Sequence, residues 1–178
     1  PWPQSPVQRD MLDLFYAQSL ATYYEAYSWE INRRERVEAK GAVDLKAWTK
    51  DQIFEEAWTT LLRVWEDRGR LQDFQPKDFP DYWNAGDYPP GIRSTLRDSV
   101  VYLMARLIVN TGFWTPRQAN ELFLLNLEVL TGDADPESAA ADILKSATSH
   151  PLEKLKALLE EHESFCRRSG RPAGALEA

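Results

Sequence analysis

The chain has 178 residues, of which 43% are hydrophobic and 28% charged, a balance typical of ordinary globular domains. Its net charge of −7 disfavours a polyanionic partner, so we do not expect it to bind nucleic acid. The single cysteine, Cys166, excludes an internal disulfide. The apolar stretches around 100–109 and 122–130 are too short or too interrupted to span a bilayer, so we expect no membrane insertion by this segment.

The first predicted helix begins at Ser5-Pro6, where serine can cap the helix and proline suits its first position. No proline or glycine follows before Gly41, so we expect one long helix to about Ala39. Its apolar stripe is wide, which predicts contact with neighbours on two sides. The stripe contains Met11, Leu12, Phe15, Tyr16, Leu20, Tyr23, Tyr24, Tyr27, Trp29 and Ile31.

The pattern Trp-Thr-x-x-Gln occurs twice, at 48–52 and at 114–118. Each copy predicts a capping box, with threonine at the N-cap and glutamine three residues later. The helix after the first copy is expected to run to Gly69. The repetition fits a duplication of helical pairs, and it equally fits independent use of the same capping chemistry.

Later helices are expected to begin at Pro136 and at His150-Pro151, with stops at Gly132 and Gly170. Beyond Gly170 we expect a disordered tail at 171–178. No run of residues predicts a strand. The expected fold class is therefore all-α: a single helical domain over 1–170, with about six helices in a tetratricopeptide-like array of stacked antiparallel pairs.

A long ordered aromatic loop is predicted between about 70 and 90. Its prolines and glycine exclude a continuous helix, and its many aromatic residues exclude a disordered linker. These aromatic residues are Phe74, Phe79, Tyr82, Trp83 and Tyr88. Two interpretations stay open. The rings cover the ends of helices, or Tyr82, Trp83 and Tyr88 line a groove that binds a protein partner.

A central helix is expected to start at Ile92, directly after Pro89-Pro90-Gly91, and to be the most buried one because it is apolar almost all round. Arg93 and Arg97 lie one turn apart near this start. Free amide groups and the helix dipole favour negative charge there, which makes both arginines candidate ligands of an anion.

The alternative for these two arginines is ion pairing with carboxylates of the preceding loop, such as Asp81 or Asp87. No glycine-rich phosphate cradle accompanies them, which favours this structural interpretation.

No set of residues indicates catalysis. The chain has no Gly-x-Ser-x-Gly elbow, and adjacent carboxylates such as Glu160-Glu161 are interpreted as solvated helix faces. His162 and Cys166 share a helix face and, with Glu163, could contribute to a metal site. A closed zinc site needs about four ligands, however, and only His150 remains. We therefore expect no enzyme activity, no cofactor and no metal.

Three stretches, at 19–53, 87–108 and 113–133, resemble the helical N-terminal region of large bacterial alpha-2-macroglobulin-like proteins. The resemblance implies a secreted, periplasmic or membrane-anchored parent that traps proteases with macroglobulin β-domains and, in some members, a reactive thioester. This chain has no Cys-x-Glu-Gln thioester sequence, and Cys166 is followed by Arg167-Arg168. We therefore assign no residue of this chain a role in the trapping chemistry.

The function implied by the resemblance is a non-enzymatic interaction or spacer domain of such a parent, a protease inhibitor of the periplasm or extracellular space. Its partners would be another protein or neighbouring domains of the same chain. The start at Pro1, without methionine, agrees with a segment of something longer. Two alternatives remain: a self-contained helical protein that binds an anionic small ligand at Arg93 and Arg97, and an intracellular helical scaffold.

Overall fold

A computed structural model describes residues 3–35, 44–82, 86–122 and 136–178. Within these ranges the chain is all-helical and has no strand. The α-helices are α1 (Pro6–Ile31), α2 (Lys50–Glu66), α3 (Arg68–Leu71), α4 (Leu96–Val109), α5 (Pro116–Glu121), α6 (Pro136–Lys145), α7 (Pro151–Arg168) and α8 (Pro172–Glu177). Short 3-10 helices occur at Pro76–Asp78 and Thr111–Phe113. None of the described helices has both the length and the apolar composition to cross a membrane.

The two predicted capping boxes are present. The backbone amide of Thr49 donates to Gln52 Oε1 at 3.0 Å, and that of Thr115 donates to Gln118 Oε1 at 2.8 Å. In both boxes, the threonine hydroxyl accepts a hydrogen bond from the backbone amide of the glutamine in return. The start of α1 after Ser5 is also confirmed, although there the serine hydroxyl forms no cap hydrogen bond within the described residues.

α1 is shorter than predicted. It bends at Tyr27, whose φ of −122° and ψ of 20° are not helical, and it ends at Ile31 instead of near Ala39. The Arg34 guanidinium gives a physical reason, because it donates to the carbonyls of Leu45 and Trp48 and so draws the chain towards α2. The predicted stop at Gly41 lies outside the described residues, as does the one at Gly132.

α4 is the central buried helix, as predicted, but it begins at Leu96 and not at Ile92. Thr95 is the N-cap and forms a capping box with Asp98. The residues before it turn sharply, with positive φ at Gly91 (87°) and at Arg93 (45°). The fully buried apolar residues of α4 are Leu96, Val100, Val101 and Met104.

The packing of the helices follows from these buried faces. α1 lies against α2, and α4 packs against both α2 and α7, so that one apolar core extends from α1 to α7. α6 and α8 each pack on α7. The expected number of about six helices is exceeded among the described residues because α3, α5 and α8 are short additional helices. The tetratricopeptide-like stacking stays a prediction.

The end of the chain differs from the disordered tail expected at 171–178, because Pro172–Glu177 form α8. Gly170, with a φ of 66°, ends α7 as predicted, and the amide of Arg171 donates to the Cys166 carbonyl at 2.9 Å. The chain therefore turns back, and Pro172 starts a new helix. Ala175 of α8 is buried against Phe165 and Cys166 of α7.

Candidate functional site

The predicted aromatic loop divides into a half-buried part and an exposed part. The rings of Phe74 and Phe79 pack against the core with their centroids 6.2 Å apart. Tyr82 and Tyr88 are exposed, and Trp83 lies outside the described residues. The loop is tied to the start of α4 because the Leu96 amide donates to the Phe74 carbonyl at 2.9 Å. The partner-binding role of Tyr82, Trp83 and Tyr88 stays a prediction.

Four more exposed aromatic side chains lie along α1, with Phe15 and Trp29 in one row and Tyr16 and Tyr27 in another. We call this set the α1 aromatic face; the exposed fractions of Phe15, Tyr16, Tyr27 and Trp29 are 59%, 37%, 48% and 65%. The buried side of the same helix contains Met11, Leu14, Leu20 and Tyr24. The wide stripe seen in the sequence is therefore a buried face together with a solvent-facing aromatic one.

The α1 aromatic face has a signal in the sequence that the apolar periodicity concealed. Phe15, Ser19, Thr22, Ala26 and Trp29 follow one another at steps of three or four residues, and all of them are exposed. None is charged. An exposed helix row without charge is unusual for a helix that faces only water.

Arg97 is a buried ion-pairing residue. Its Nη2 donates to Glu161 Oε1 of α7 at 2.5 Å, and its guanidinium lies 3.6 Å from the centre of the Phe165 ring. Arg68 Nε donates to the same Glu161 oxygen at 3.2 Å. Pairing of Arg97 with a carboxylate was predicted, but the partner is Glu161 and not Asp81 or Asp87. Glu161 is buried, so the interpretation of Glu160-Glu161 as a solvated pair is wrong for its second residue.

Arg93 also pairs with a carboxylate that the sequence analysis did not identify. Its Nε donates to Glu177 Oε1 of α8 at 2.7 Å, and its Nη1 donates to the Tyr88 hydroxyl at 3.1 Å. The guanidinium lies 4.0 Å from the centre of the Tyr102 ring. The two arginines thus have carboxylate partners on different helices, and an anionic ligand would have to displace those partners. Anion binding at Arg93 and Arg97 stays a prediction.

Three chemically reactive side chains meet between α4 and α7. His162 Nε2 lies 3.5 Å from Asp98 Oδ1 and 3.7 Å from Cys166 Sγ. All three side chains are buried, with exposed fractions of 1% or less. Glu163, considered with His162 and Cys166 from the sequence, instead binds Arg167 on the surface. Its place in the group is taken by Asp98, a residue 64 positions away from His162 along the chain.

The electrostatics around this group keep two of its members neutral. Burial lowers the pKa of His162 and raises the pKa of the Cys166 thiol. Asp98 is held by Arg171, whose Nη1 donates to Oδ1 at 3.0 Å and whose Nη2 donates to Oδ2 at 2.5 Å. The Asp98 carboxylate therefore has a cationic partner while the imidazole and the thiol are uncharged.

The same geometry excludes a relay of the Cys-His-Asp kind in this arrangement. Such a relay needs the nucleophile on one ring nitrogen and the carboxylate on the other. Here Asp98 and Cys166 both face Nε2 of His162, and the thiol has no exposed surface for a substrate to reach. The three atoms instead converge on one region of space.

No family model, no curated protein and no solved structure matches the chain. The resemblance to bacterial alpha-2-macroglobulin-like proteins, and the location it implies, therefore stay predictions.

Proposed function

We propose that this chain is a non-enzymatic helical interaction domain. It docks or spaces other domains within a large secreted, periplasmic or membrane-anchored protein of the bacterial alpha-2-macroglobulin-like class. Only the resemblance implies that this parent traps proteases. The observation that carries the docking role is the α1 aromatic face, which presents four aromatic side chains to solvent on one helix.

Aromatic exposure on this scale favours a binding role because it leaves apolar area in water that a partner could bury. Each phenyl, phenol or indole ring contributes a large apolar area, and burying it contributes about 25 cal/mol per Å². Tryptophan and tyrosine are also the residues most enriched at the centres of protein interfaces. The Arg33 guanidinium lies 5.8 Å from the centre of the Trp29 ring. This combination suits an interface with a partly polar rim.

The exposed part of the aromatic loop is a second candidate contact. Tyr82 and Tyr88 are exposed, and together with Trp83 they are the partner-binding residues that the sequence suggests. Tyr88 is held in place by Arg93, whose guanidinium lies 4.8 Å from its ring centre. A ring that is already positioned loses little conformational entropy when a partner covers it.

The partner in this proposal is a folded protein surface, either a neighbouring domain of the same longer chain or a separate protein. A helical array with an aromatic outer row can hold such a surface without chemistry of its own. The ion pairs of Asp13 with Arg63 and of Asp10 with Arg70 would hold α1 in place against α2 and α3.

The test compares two double variants with the unaltered domain. Phe15→Ser with Trp29→Ser removes the two most exposed rings of the α1 aromatic face. Val109→Ser with Leu122→Ser removes exposed apolar side chains elsewhere and serves as the matched control. Circular dichroism should show equal helical content in all three proteins, because none of these side chains is in the core.

The binding measurement has two stages. Immobilised domain is first incubated with a cell-envelope extract, and any protein retained in stoichiometric amount is then purified and titrated by calorimetry. The proposal expects that the purified partner binds the unaltered domain and the control, and that F15S/W29S weakens the affinity at least tenfold. Equal affinity for both double variants, or no stoichiometric partner for the unaltered domain, would overturn the docking role of this face.

A further inference from the structure

We propose that Asp98, His162 and Cys166 form a binding site for a thiophilic divalent cation, with Zn²⁺ as the preferred ion. The three side chains come from two helices, α4 and α7, and each offers one ligand atom of a type that zinc accepts. The ligand atoms lie within 4.8 Å of one another. This inference is independent of the proposed docking role.

The distance between His162 and Asp98 fits coordination better than hydrogen bonding. His162 Nε2 is 3.5 Å from the Asp98 oxygen, which is long for a hydrogen bond between nitrogen and oxygen. Tetrahedral zinc with bonds of about 2.0–2.1 Å to nitrogen and oxygen and about 2.3 Å to sulfur separates nitrogen from oxygen by roughly 3.3–3.4 Å and nitrogen from sulfur by roughly 3.5–3.6 Å. The separations of 3.5 Å and 3.7 Å around His162 Nε2 come within about 0.2 Å of that geometry.

A second observation is that His162 Nε2 faces two polar groups at once, Asp98 Oδ1 and Cys166 Sγ. A single proton or lone pair at that nitrogen can serve only one of them. Nδ1 lies on the other side of the ring and has no hydrogen-bond partner among the described residues. A cation at the point where the three atoms converge would bind Nε2, the carboxylate and the sulfur together.

Arg171 takes the place of an outer-shell partner in this arrangement. Its guanidinium already holds both oxygens of Asp98, and carboxylates that bind metals are commonly hydrogen-bonded in this way. Zn²⁺ brings two positive charges beside the guanidinium of Arg171. Cys166 supplies one negative charge when its thiol releases a proton on binding, and the Asp98 carboxylate is shared between the cation and Arg171.

The described residues supply three ligands, one fewer than a closed tetrahedral site has. The third protein ligand explains why the sequence analysis expected no metal. His162 and Cys166 are recognisable as a pair on one helix, whereas Asp98 joins them only because the Thr95 capping box and Arg171 hold it at the start of α4.

The test uses the tag-free chain after treatment with a chelator, and Co²⁺ as a spectroscopic substitute for zinc. We expect one Co²⁺ per chain and a thiolate-to-cobalt charge-transfer band in the near ultraviolet, which Zn²⁺ then abolishes by displacement. Because Cys166 is the only cysteine of the chain, this band reports on that residue without any variant. Absence of the band at saturating Co²⁺ would overturn the proposal.

Thermal unfolding provides the second readout. We expect Zn²⁺ to raise Tm by several degrees through mass action and Mg²⁺ to leave it unchanged. Cys166→Ala should lose the Zn²⁺-dependent rise, and Glu163→Gln, a neighbouring carboxylate on the surface, should keep it. If C166A does not fold, the cobalt spectrum of the unaltered chain decides the question. A folded C166A with an undiminished Zn²⁺-dependent rise would also overturn the site.

Discussion

Arg97 on α4 donates a hydrogen bond to Glu161 on α7 across 2.5 Å, and both side chains are buried. The two residues are 64 positions apart along the chain, so the pair ties together helices that local sequence does not connect. Burial lowers the pKa of Arg97, because taking a guanidinium out of water disfavours its charged form. The pair is therefore a structural feature whose effect on stability depends on both partners being present.

Removal of one member of this pair should be strongly destabilising. Arg97→Met leaves the Glu161 carboxylate buried with Arg68 as its remaining cationic partner, so we expect a loss of about 3 kcal/mol in the free energy of unfolding. Urea denaturation followed by circular dichroism measures this change. Arg97→Met combined with Glu161→Leu should recover most of the loss, because the one charge that then loses its partner, on Arg68, is 22% exposed and keeps part of its hydration.

The matched control for this experiment is Arg117→Met. Arg117 pairs with Glu121 within α5, and its side chain is largely exposed. Exposed pairs of this kind add little to stability, so the urea midpoint should not change measurably. Equal effects of R97M and R117M would contradict the account of the buried pair.

The close contact of α8 with α7 makes a prediction at Gly174. A Cβ added there would lie 3.1 Å from Cys166 Sγ and 3.1 Å from the Gly91 carbonyl oxygen. Gly174→Ala should therefore destabilise the domain by about 1–2 kcal/mol, because the helix and the loop would have to move apart. Gly69→Ala is the control. Its Cβ meets no atom within 4 Å, and alanine favours helix, so the same measurement should give no loss. An unaffected G174A would show that α8 does not pack as described.

The capping box at the start of α4 should contribute measurably to stability. Thr95→Ala removes the hydroxyl that accepts the Asp98 amide, and we expect a loss of about 1 kcal/mol. Thr95→Ser keeps a hydroxyl at the same place and should retain most of the stability. Thermal unfolding of the two variants separates the effect of losing the capping hydroxyl from the effect of losing the threonine methyl group. A serine variant as unstable as the alanine variant would assign the effect to packing.

Lys154 predicts a pH dependence of stability. Burial lowers the pKa of its ammonium below the ordinary value of 10.5, so the unfolded chain binds this proton more tightly than the folded one. The contribution of Lys154 to stability is therefore unfavourable at neutral pH. It improves as pH rises from the lowered pKa of the folded state to the unfolded value.

Lys154→Met should remove this unfavourable contribution. We expect the variant to be more stable at neutral pH, by less than about 1 kcal/mol because the half-buried ammonium keeps part of its hydration. The difference from the unaltered chain should shrink as pH approaches 10.5. Lys46→Met, at an exposed position, should show neither effect. A K154M variant that is less stable at neutral pH would mean that the contact of Lys154 with Trp58, 5.3 Å away, outweighs the cost of burial.

Local chemistry explains what the sequence predicts correctly. Thr49 with Gln52, and Thr115 with Gln118, form their capping boxes within four residues, so the pattern alone is sufficient. The reversal at Gly170 is local in the same sense. The predicted start of α4 at Ile92 lies four residues too early, because the Thr95-x-x-Asp98 box specifies the helix more directly than Pro89-Pro90-Gly91 does.

Long-range pairing explains the features that the sequence does not predict. Nothing near Glu161 in sequence indicates that it is buried, because its partners Arg97 and Arg68 come from other helices. The same holds for Glu177, which joins α8 to Arg93 from 84 residues away. The candidate cation site could be predicted for its two residues on α7 and not for Asp98.

An immunoblot of native cell fractions, with an antibody raised against this chain, tests whether it is a domain of a large envelope protein. We expect a band far above the 20.5 kDa of this chain, in the periplasmic, membrane or secreted fraction. A single band near 20.5 kDa in the cytosol would contradict it.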